Sequence, residues 1–212
     1  MMSFREEGKQ MTYIKDIELK TNNLYNAIIE IPKKTKNKYE LEDGTFEKVV
    51  KVRKVKCKYP FYYGCFPQTL AGDNDPLDMI LISAKKRKIL DIVTVIPLGI
   101  IRTLDCGEVD DKVIVIPYDE PLKKLEKEKE EVLKFLHKYK GKKANTLIDD
   151  ELYNSEYAKQ IIEHAHQVYK DKNPHKNTYP KFEKKWETEV KKVENVKKVE
   201  PEVKKEQKSR IF

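Results

Sequence analysis

Residues 92–116 read IVTVIPLGIIRTLDCGEVDDKVIVI, two β-branched runs around a short acidic turn. Residues 92–101 and 112–116 are expected to be strands, because Val, Ile and Thr are stiff at χ1 and pack well on a pleated surface. The turn at residues 105–111 is too short to hold a helix, so the two strands belong to a closely connected sheet. Upstream the same habit continues. Residues 27–32, AIIEIP, make a strand that Pro32 ends. Residues 38–42 alternate apolar and polar, residues 46–55 alternate again, and Asp43-Gly44 between them is a hairpin signal. Residues 79–83 add another strand. Five or more short strands without intervening helices point to an antiparallel barrel or sandwich.

After Pro117 the period lengthens. Leu122, Leu125, Val132, Leu133, Leu136 and Tyr139 recur near every 3.6 residues, Pro121 suits a first helical position, and Gly141 suits the residue after a helix. A second helix is expected from about Ser155 to Tyr169, with Ala158, Ile161, Ile162, Ala165 and Val168 on one face and Asn154 or Ser155 as its cap. The expected class is therefore α+β: a five-stranded antiparallel β-barrel (OB-like) with flanking C-terminal helices.

The 212 residues suffice for one domain with a sizeable core, yet 38% of them are charged. Part of that excess lies in residues 181–212, where eleven Lys and Arg face seven Glu, half of the chain's net charge of +8. Too little apolar surface is available there for a core. The expected organisation is an N-terminal segment 1–24, a catalytic domain 25–170 and a charged, mobile extension 171–212. Nucleic acid is set aside as partner, because the lysines are interleaved with glutamates and no aromatic-rich basic patch occurs. The three cysteines, Cys57, Cys65 and Cys106, lack metal-ligand spacing, and the first 24 residues contain no apolar signal segment. A reducing, cytoplasmic location without a membrane span is the expectation.

Residues 71–83, AGDNDPLDMILIS, place Asp73, Asp75 and Asp78 against the start of an apolar strand. Asp-Asn-Asp-Pro is good turn chemistry in its own right. An EF-hand loop is excluded, since its sixth and twelfth positions would be Asp78 and Ala84 rather than Gly and Glu. A P-loop is excluded because no Gly-Lys-Ser/Thr occurs. Asp73 and Asp75, two apart on an extended segment, would point the same way, and Pro76 would bend the chain so that Asp78 rejoins them. Convergent carboxylates suit Mg²⁺, which prefers carboxylate and phosphate oxygens. A second acidic group, Asp105 to Asp111, lies between two strands, so a site for several metal ions stands beside a solvated turn as a reading of these residues.

Asp73-Asn74-Asp75-Pro76-Leu77-Asp78-Met79 matches the signature Asp-x-Asp-Pro-x-Asp of the soluble, barrel-type (family I) inorganic pyrophosphatases. The resemblance extends from about Ala27 to Tyr169, with Ile29-Glu30-Ile31-Pro32, Lys38-Tyr39-Glu40, Tyr59-Pro60, Tyr63-Gly64, Asp105, Asp110-Asp111-Lys112 and Tyr139-Lys140 in the family's order. It implies hydrolysis of pyrophosphate with several Mg²⁺ ions as cofactors, Mn²⁺ or Zn²⁺ as substitutes, and a homo-oligomer, hexamer or dimer. It further implies that Asp73, Asp78 and Asp110 hold the two metals sharing the nucleophilic water. Asp105, with Glu30 and Glu40 through water, would hold metals that arrive with substrate, and Asp75 would take the proton of the attacking water. Lys38, Lys51, Tyr63, Lys112, Tyr139 and Lys140 stand at the phosphate-binding positions.

Two departures stand out. Lys51 occupies the place of a family arginine, with Arg53 two residues on, on the same strand face, where a small shift would let it substitute. Cys106 replaces a glutamate found in many members. Rival readings are hydrolysis of tripolyphosphate or a nucleotide, a non-catalytic oligonucleotide-binding barrel, and a basic nucleic-acid binder. Retention of Asp73, Asp75, Asp78 and Asp110 together argues against the non-catalytic barrel, because only catalysis needs Asp75 beyond metal ligation, and the nucleic-acid binder would bind in a salt-dependent way indifferent to the aspartates.

Overall fold

Hydrogen bonding closes five strands into a ring, as seen in a computed structural model that describes residues 14–41, 49–121, 125–140 and 146–171. The ring runs β2 (Leu24–Ile31), β5 (Tyr62–Cys65), β6 (Asp78–Leu81), β9 (Lys112–Pro117) and β7 (Ile92–Asp105), and β7 pairs back onto β2. Four of these joints are antiparallel; β6 and β9 run parallel, with Asp78 opposite Lys112. Three more strands extend the sheet: the two-residue β1 (Lys20–Thr21) on β2 and β8 (Glu108–Val109) on β7, and the longer β10 (Leu147–Asn154) on β7. A separate two-stranded sheet pairs β3 (Asn37–Leu41) with β4 (Val49–Lys54), as the hairpin signal implied, while the Asp43-Gly44 turn itself lies outside the described residues.

The helices cover opposite faces. α2 (Ser155–Asp171) lays Ala158, Ile161, Ile162, Ala165 and Val168 inward, a 3–4 spacing that makes one apolar stripe. Asn154 caps it, its side chain accepting the amide of Tyr157 at 2.9 Å. α1 (Leu125–Lys140) contributes Val132, Phe135 and Leu136 to the other face. Alternation along β6 and β9 feeds both: Met79, Leu81, Val113 and Val115 pack toward the α2 cluster, Ile80, Ile82, Ile114 and Ile116 toward the α1 cluster. Burial on both faces explains why these segments read as unbroken apolar runs.

Residues just ahead of β2 pack against it. Ile17 and Leu19 are buried, and the amide of Asn26 donates to Leu19 O at 2.8 Å. The expected extension 171–212 lies outside the described residues after Asp171, as do Leu122 and Gly141. Gly64 lets β5 approach β2 closely: a Cβ there would stand 1.9 Å from Ile28 O.

Two polar links hold the loops. Arg102 Nε lies 2.7 Å from Asp111 Oδ2, both side chains almost wholly buried, and Asp111 Oδ1 accepts the amide of Thr103 at 2.9 Å. Glu120 accepts from Ser83 Oγ, from the amide of Ala84 at 2.6 Å and from Arg87 at 3.1 Å. Burial works against the charged form of Glu120, but these donors outweigh it and hold the carboxyl below its ordinary value of 4.5. Its stabilisation is therefore complete above pH 4.5 and lost as pH falls through the lower folded value. Glu120→Gln should lower stability at pH 7 and remove that part of the acid loss, read as unfolding midpoints across a pH series. Asp111→Ala should cost about 3–5 kcal/mol in urea unfolding, because it strands a buried guanidinium; a loss below about 1 kcal/mol would contradict this account.

Candidate active site

The acidic signature forms a turn at the rim of the ring. Asn74 adopts φ 69°, and Asp73 Oδ1 accepts the amide of Asp75 at 3.1 Å. The segment is thus a turn braced by its own side chain rather than the extended stretch expected, and Asp73 and Asp75 do not owe their convergence to strand alternation. Asp78, the first residue of β6, lies beside Tyr63, whose hydroxyl donates to Asp78 Oδ2 at 2.5 Å. The second acidic group also resolves into a turn. Leu104 pairs with Val109 and Asp105 with Glu108, and Cys106 and Gly107 between them have φ 55° and 83°. Positive φ at both central residues is the hairpin geometry that follows the strands' twist. It delivers Asp105 at the end of β7 and Asp110 just before β9 to the same rim.

These turns, the β3–β4 hairpin and the end of α1 enclose a cleft of about 460 Å³. Glu30, Glu40, Asp73, Asp75, Asp78, Asp105, Glu108 and Asp110 line it, with Lys38, Arg53, Tyr63, Cys106, Tyr139 and Lys140. Lys112 reaches the same group from beneath: Nζ donates to Asp78 Oδ2 at 2.6 Å, to Asp110 O at 2.7 Å and to the Asp110 carboxylate. Lys140 bridges Asp105 Oδ2, at 2.8 Å, and Asp110 Oδ2. Thr146, which no sequence signal singled out, donates to Asp105 Oδ1 at 3.0 Å. Lys38 pairs with Glu40 at 2.5 Å, and Glu30 accepts the amide of Leu41 at 3.3 Å.

Lys51 stands outside this group. The β3–β4 register slips between Lys38, opposite Arg53, and Tyr39, opposite Lys51, leaving Val52 as an extra residue. Such a bulge turns residues two apart to opposite faces. Arg53 therefore shares the cleft face with Lys38 and donates to the Tyr139 hydroxyl at 3.4 Å, whereas Lys51 does not line the cleft. The expectation of a common face fails for this reason. Tyr59, noted only as part of Tyr-Pro, packs its ring 5.6 Å from that of Tyr139 and 5.7 Å from that of Tyr63.

Eight carboxylates thus meet four cations, and the excess negative charge shows in the acidities. Burial, then the charge of Asp110, pushes Asp73 up to about 7. Burial, then Asp78, pushes Glu30 up to about 8. Asp75 is raised by burial and by Asp78 and Glu40, and Asp78 by burial against the pull of Lys112. Asp110 lies low: burial opposes its charge, but Lys112 and Lys140 outweigh that. Among the described residues no three acidic, histidine or cysteine side chains close around a common point, because ammonium groups stand between them. The donor chemistry nevertheless fits hard divalent cations. It is all carboxylate oxygen, gathered in one cleft and short of positive charge.

Comparison with known proteins agrees with this geometry. The family model described as inorganic pyrophosphatase matches residues 27–170. Soluble inorganic pyrophosphatase 2 of Chlamydomonas reinhardtii is 29% identical over 158 residues, 70% of this chain and 82% of that protein. The chloroplastic soluble inorganic pyrophosphatase 1 of the same alga is 31% identical over 203 residues, 79% of this chain and 72% of that protein. The crystal structure of type I inorganic pyrophosphatase from Toxoplasma gondii, 23% identical, shares the fold with a TM-score of 0.68 over 78% of this chain and 90% of that one.

Mg²⁺ should raise the unfolding midpoint of the protein, by about 2.7 kcal/mol of stability at a hundredfold excess over its dissociation constant. Calorimetric melts with and without chelator check this; an Asp73→Asn, Asp78→Asn variant should lose most of the increment. Equal increments in both proteins would mean that the ion binds elsewhere.

Proposed function

The chain belongs to the inorganic pyrophosphatase family, so it is a hydrolase that splits pyrophosphate into two phosphates, and we propose that it does so in this cleft with Asp75 as proton acceptor. The observation that carries the reading is the make-up of the cleft. Lys38, Arg53, Tyr139 and Lys140 line the same cavity as eight carboxylates, so one space offers donors for phosphate oxygens and ligands for the ions that accompany them.

The family uses divalent metal ions, generally Mg²⁺. We assign them to Asp73, Asp78, Asp105 and Asp110, with Glu30 and Glu40 at the edge, where they supply Lewis-acid activation of water and cancel the charge of pyrophosphate. Mn²⁺ and Zn²⁺ suit the same oxygen donors as substitutes.

The remaining work falls to side chains. Asp75 is exposed to the cleft, and its carboxylate makes no hydrogen bond or ion pair with a described residue, unlike Asp78, Asp105 and Asp110. A base must be free to receive, and its raised pKa makes the carboxylate a stronger base. The water oxygen attacks one phosphorus in line, its proton passes to Asp75, and the bridging P–O bond breaks with its electron pair on the second phosphate. Lys38, Arg53 and Tyr139 bind the charge that develops there, and Lys140 reaches it from the end of α1. Tyr63 and Lys112 hold Asp78 and Asp110 in place. We further place the protein in the cytoplasm as a homo-oligomer, hexamer or dimer; its three cysteines are free, as a reducing compartment requires.

Asp75→Asn should lower kcat by roughly 10²- to 10⁴-fold with folding intact, measured as phosphate released from pyrophosphate in millimolar Mg²⁺. Arg53→Ala should raise KM while Lys51→Ala stays near wild type. An inert wild-type protein would sink the function, and a Lys51→Ala defect larger than that of Arg53→Ala would sink the assignment of the phosphate wall.

A further inference from the structure

A second cavity, of about 450 Å³, shares α1 with the active cleft but none of its lining residues. Lys36, Lys56, Lys58, Lys134 and Lys138 ring it, and Glu131 is the single acid among them. Lys134 pairs with Glu130 at 3.2 Å; the other four lysines make no ion pair with a described residue. Four unanswered ammoniums around one concavity repel one another and focus a positive potential into it.

The chain brings these charges from three separate segments. Lys36 precedes β3, Lys56 and Lys58 follow β4, and Lys138 stands on the last turn of α1. Cys57 marks where they meet: burial pushes its thiol up, and the charges of Lys138 and Lys36 both pull it back. The floor is carbon, from Pro60, Phe135 and Cys57. Its volume is that of a small-molecule site. Lysine binds phosphate as a point charge, without the fork that reads shape. Phe135 is only 6% exposed and offers little face to a base, so charge dominates recognition.

The floor is also the back of the phosphate wall. The Phe135 ring stacks on Tyr139 at 5.4 Å and 26°, and lies 5.2 Å from Tyr59. Tyr139 in turn meets Arg53. We propose that this lysine-ringed cavity is a second, non-catalytic site for a linear condensed phosphate, free or carried on a nucleoside, which alters pyrophosphate hydrolysis by way of Phe135 and Tyr139. The coupling rests on the function proposed above; the binding does not.

The test titrates the full chain calorimetrically, in EDTA, with tripolyphosphate, ATP and orthophosphate in turn. Without divalent ions the carboxylate-lined cleft repels these anions, so binding there is suppressed. Tripolyphosphate should bind once per chain, and Lys56→Glu with Lys138→Glu should weaken it about tenfold or more, while Lys38→Ala leaves it unchanged. ATP equal to tripolyphosphate assigns the site to the phosphate chain alone, and tighter ATP assigns it to the nucleotide. A flat wild-type titration overturns the site, as does binding lost in Lys38→Ala but kept in the double variant. At constant free Mg²⁺, tripolyphosphate should shift the KM for pyrophosphate in the wild type more than in the double variant; equal shifts overturn the coupling. Calorimetric binding by a protein that hydrolyses nothing would sink the proposed function and leave this site standing.

Discussion

One buried ammonium sets the geometry of the cleft. Lys112 opens β9 directly across from Asp78, because β6 and β9 are the single parallel pair in the ring. Its side chain is 1% exposed, and it answers Asp78 and Asp110 together. Burying such a charge is costly unless partners surround it, and burying the two carboxylates without it would be costlier still. Lys140 repeats the arrangement one layer out, between Asp110 and Asp105. The two lysines fix where the acids stand, but they cannot neutralise all of them. What remains is a stiff, underpaid negative cleft, the condition under which divalent cations are held by charge and position at once.

Much of this could be read from residues alone, because the local signals agreed with the global fold. Residues 92–101 and 112–116 alternate or run apolar for the physical reason found, burial under α1 and α2. A cap at Asn154 or Ser155 and the inward stripe of α2 were equally plain. Other features lacked a local signature. Residues 147–154, LIDDELYN, show no period of two, yet they add to β7 because its edge is open to them. The parallel joint of β6 and β9 involves only four residues on one side, too few to announce a partner. The slip at Val52 is invisible in sequence, since a bulge is a property of two strands and not of one. That slip alone decides between Lys51 and Arg53.

The departures from the family pattern thus differ in weight. Arg53 brings a guanidinium to the cleft through the bulge, whereas the lysine at position 51 does not line it. Cys106 is a true change at the rim. It occupies a left-handed position in the hairpin with its thiol exposed, and a carboxylate there would have added to an already unbalanced charge.

Gly64 bears on how this protein can vary. Every other amino acid carries a Cβ, and at this position that atom would fall within bonding range of a neighbouring strand's carbonyl oxygen. No single codon change offers a smaller step. A random library scored for activity would therefore show position 64 as intolerant, side by side with Tyr63 and Asp78, although it does no chemistry. Its place in such a map would report the distance between two strands. Any survey that infers catalytic residues from intolerance to change will need a separate stability readout to tell this glycine from the tyrosine beside it.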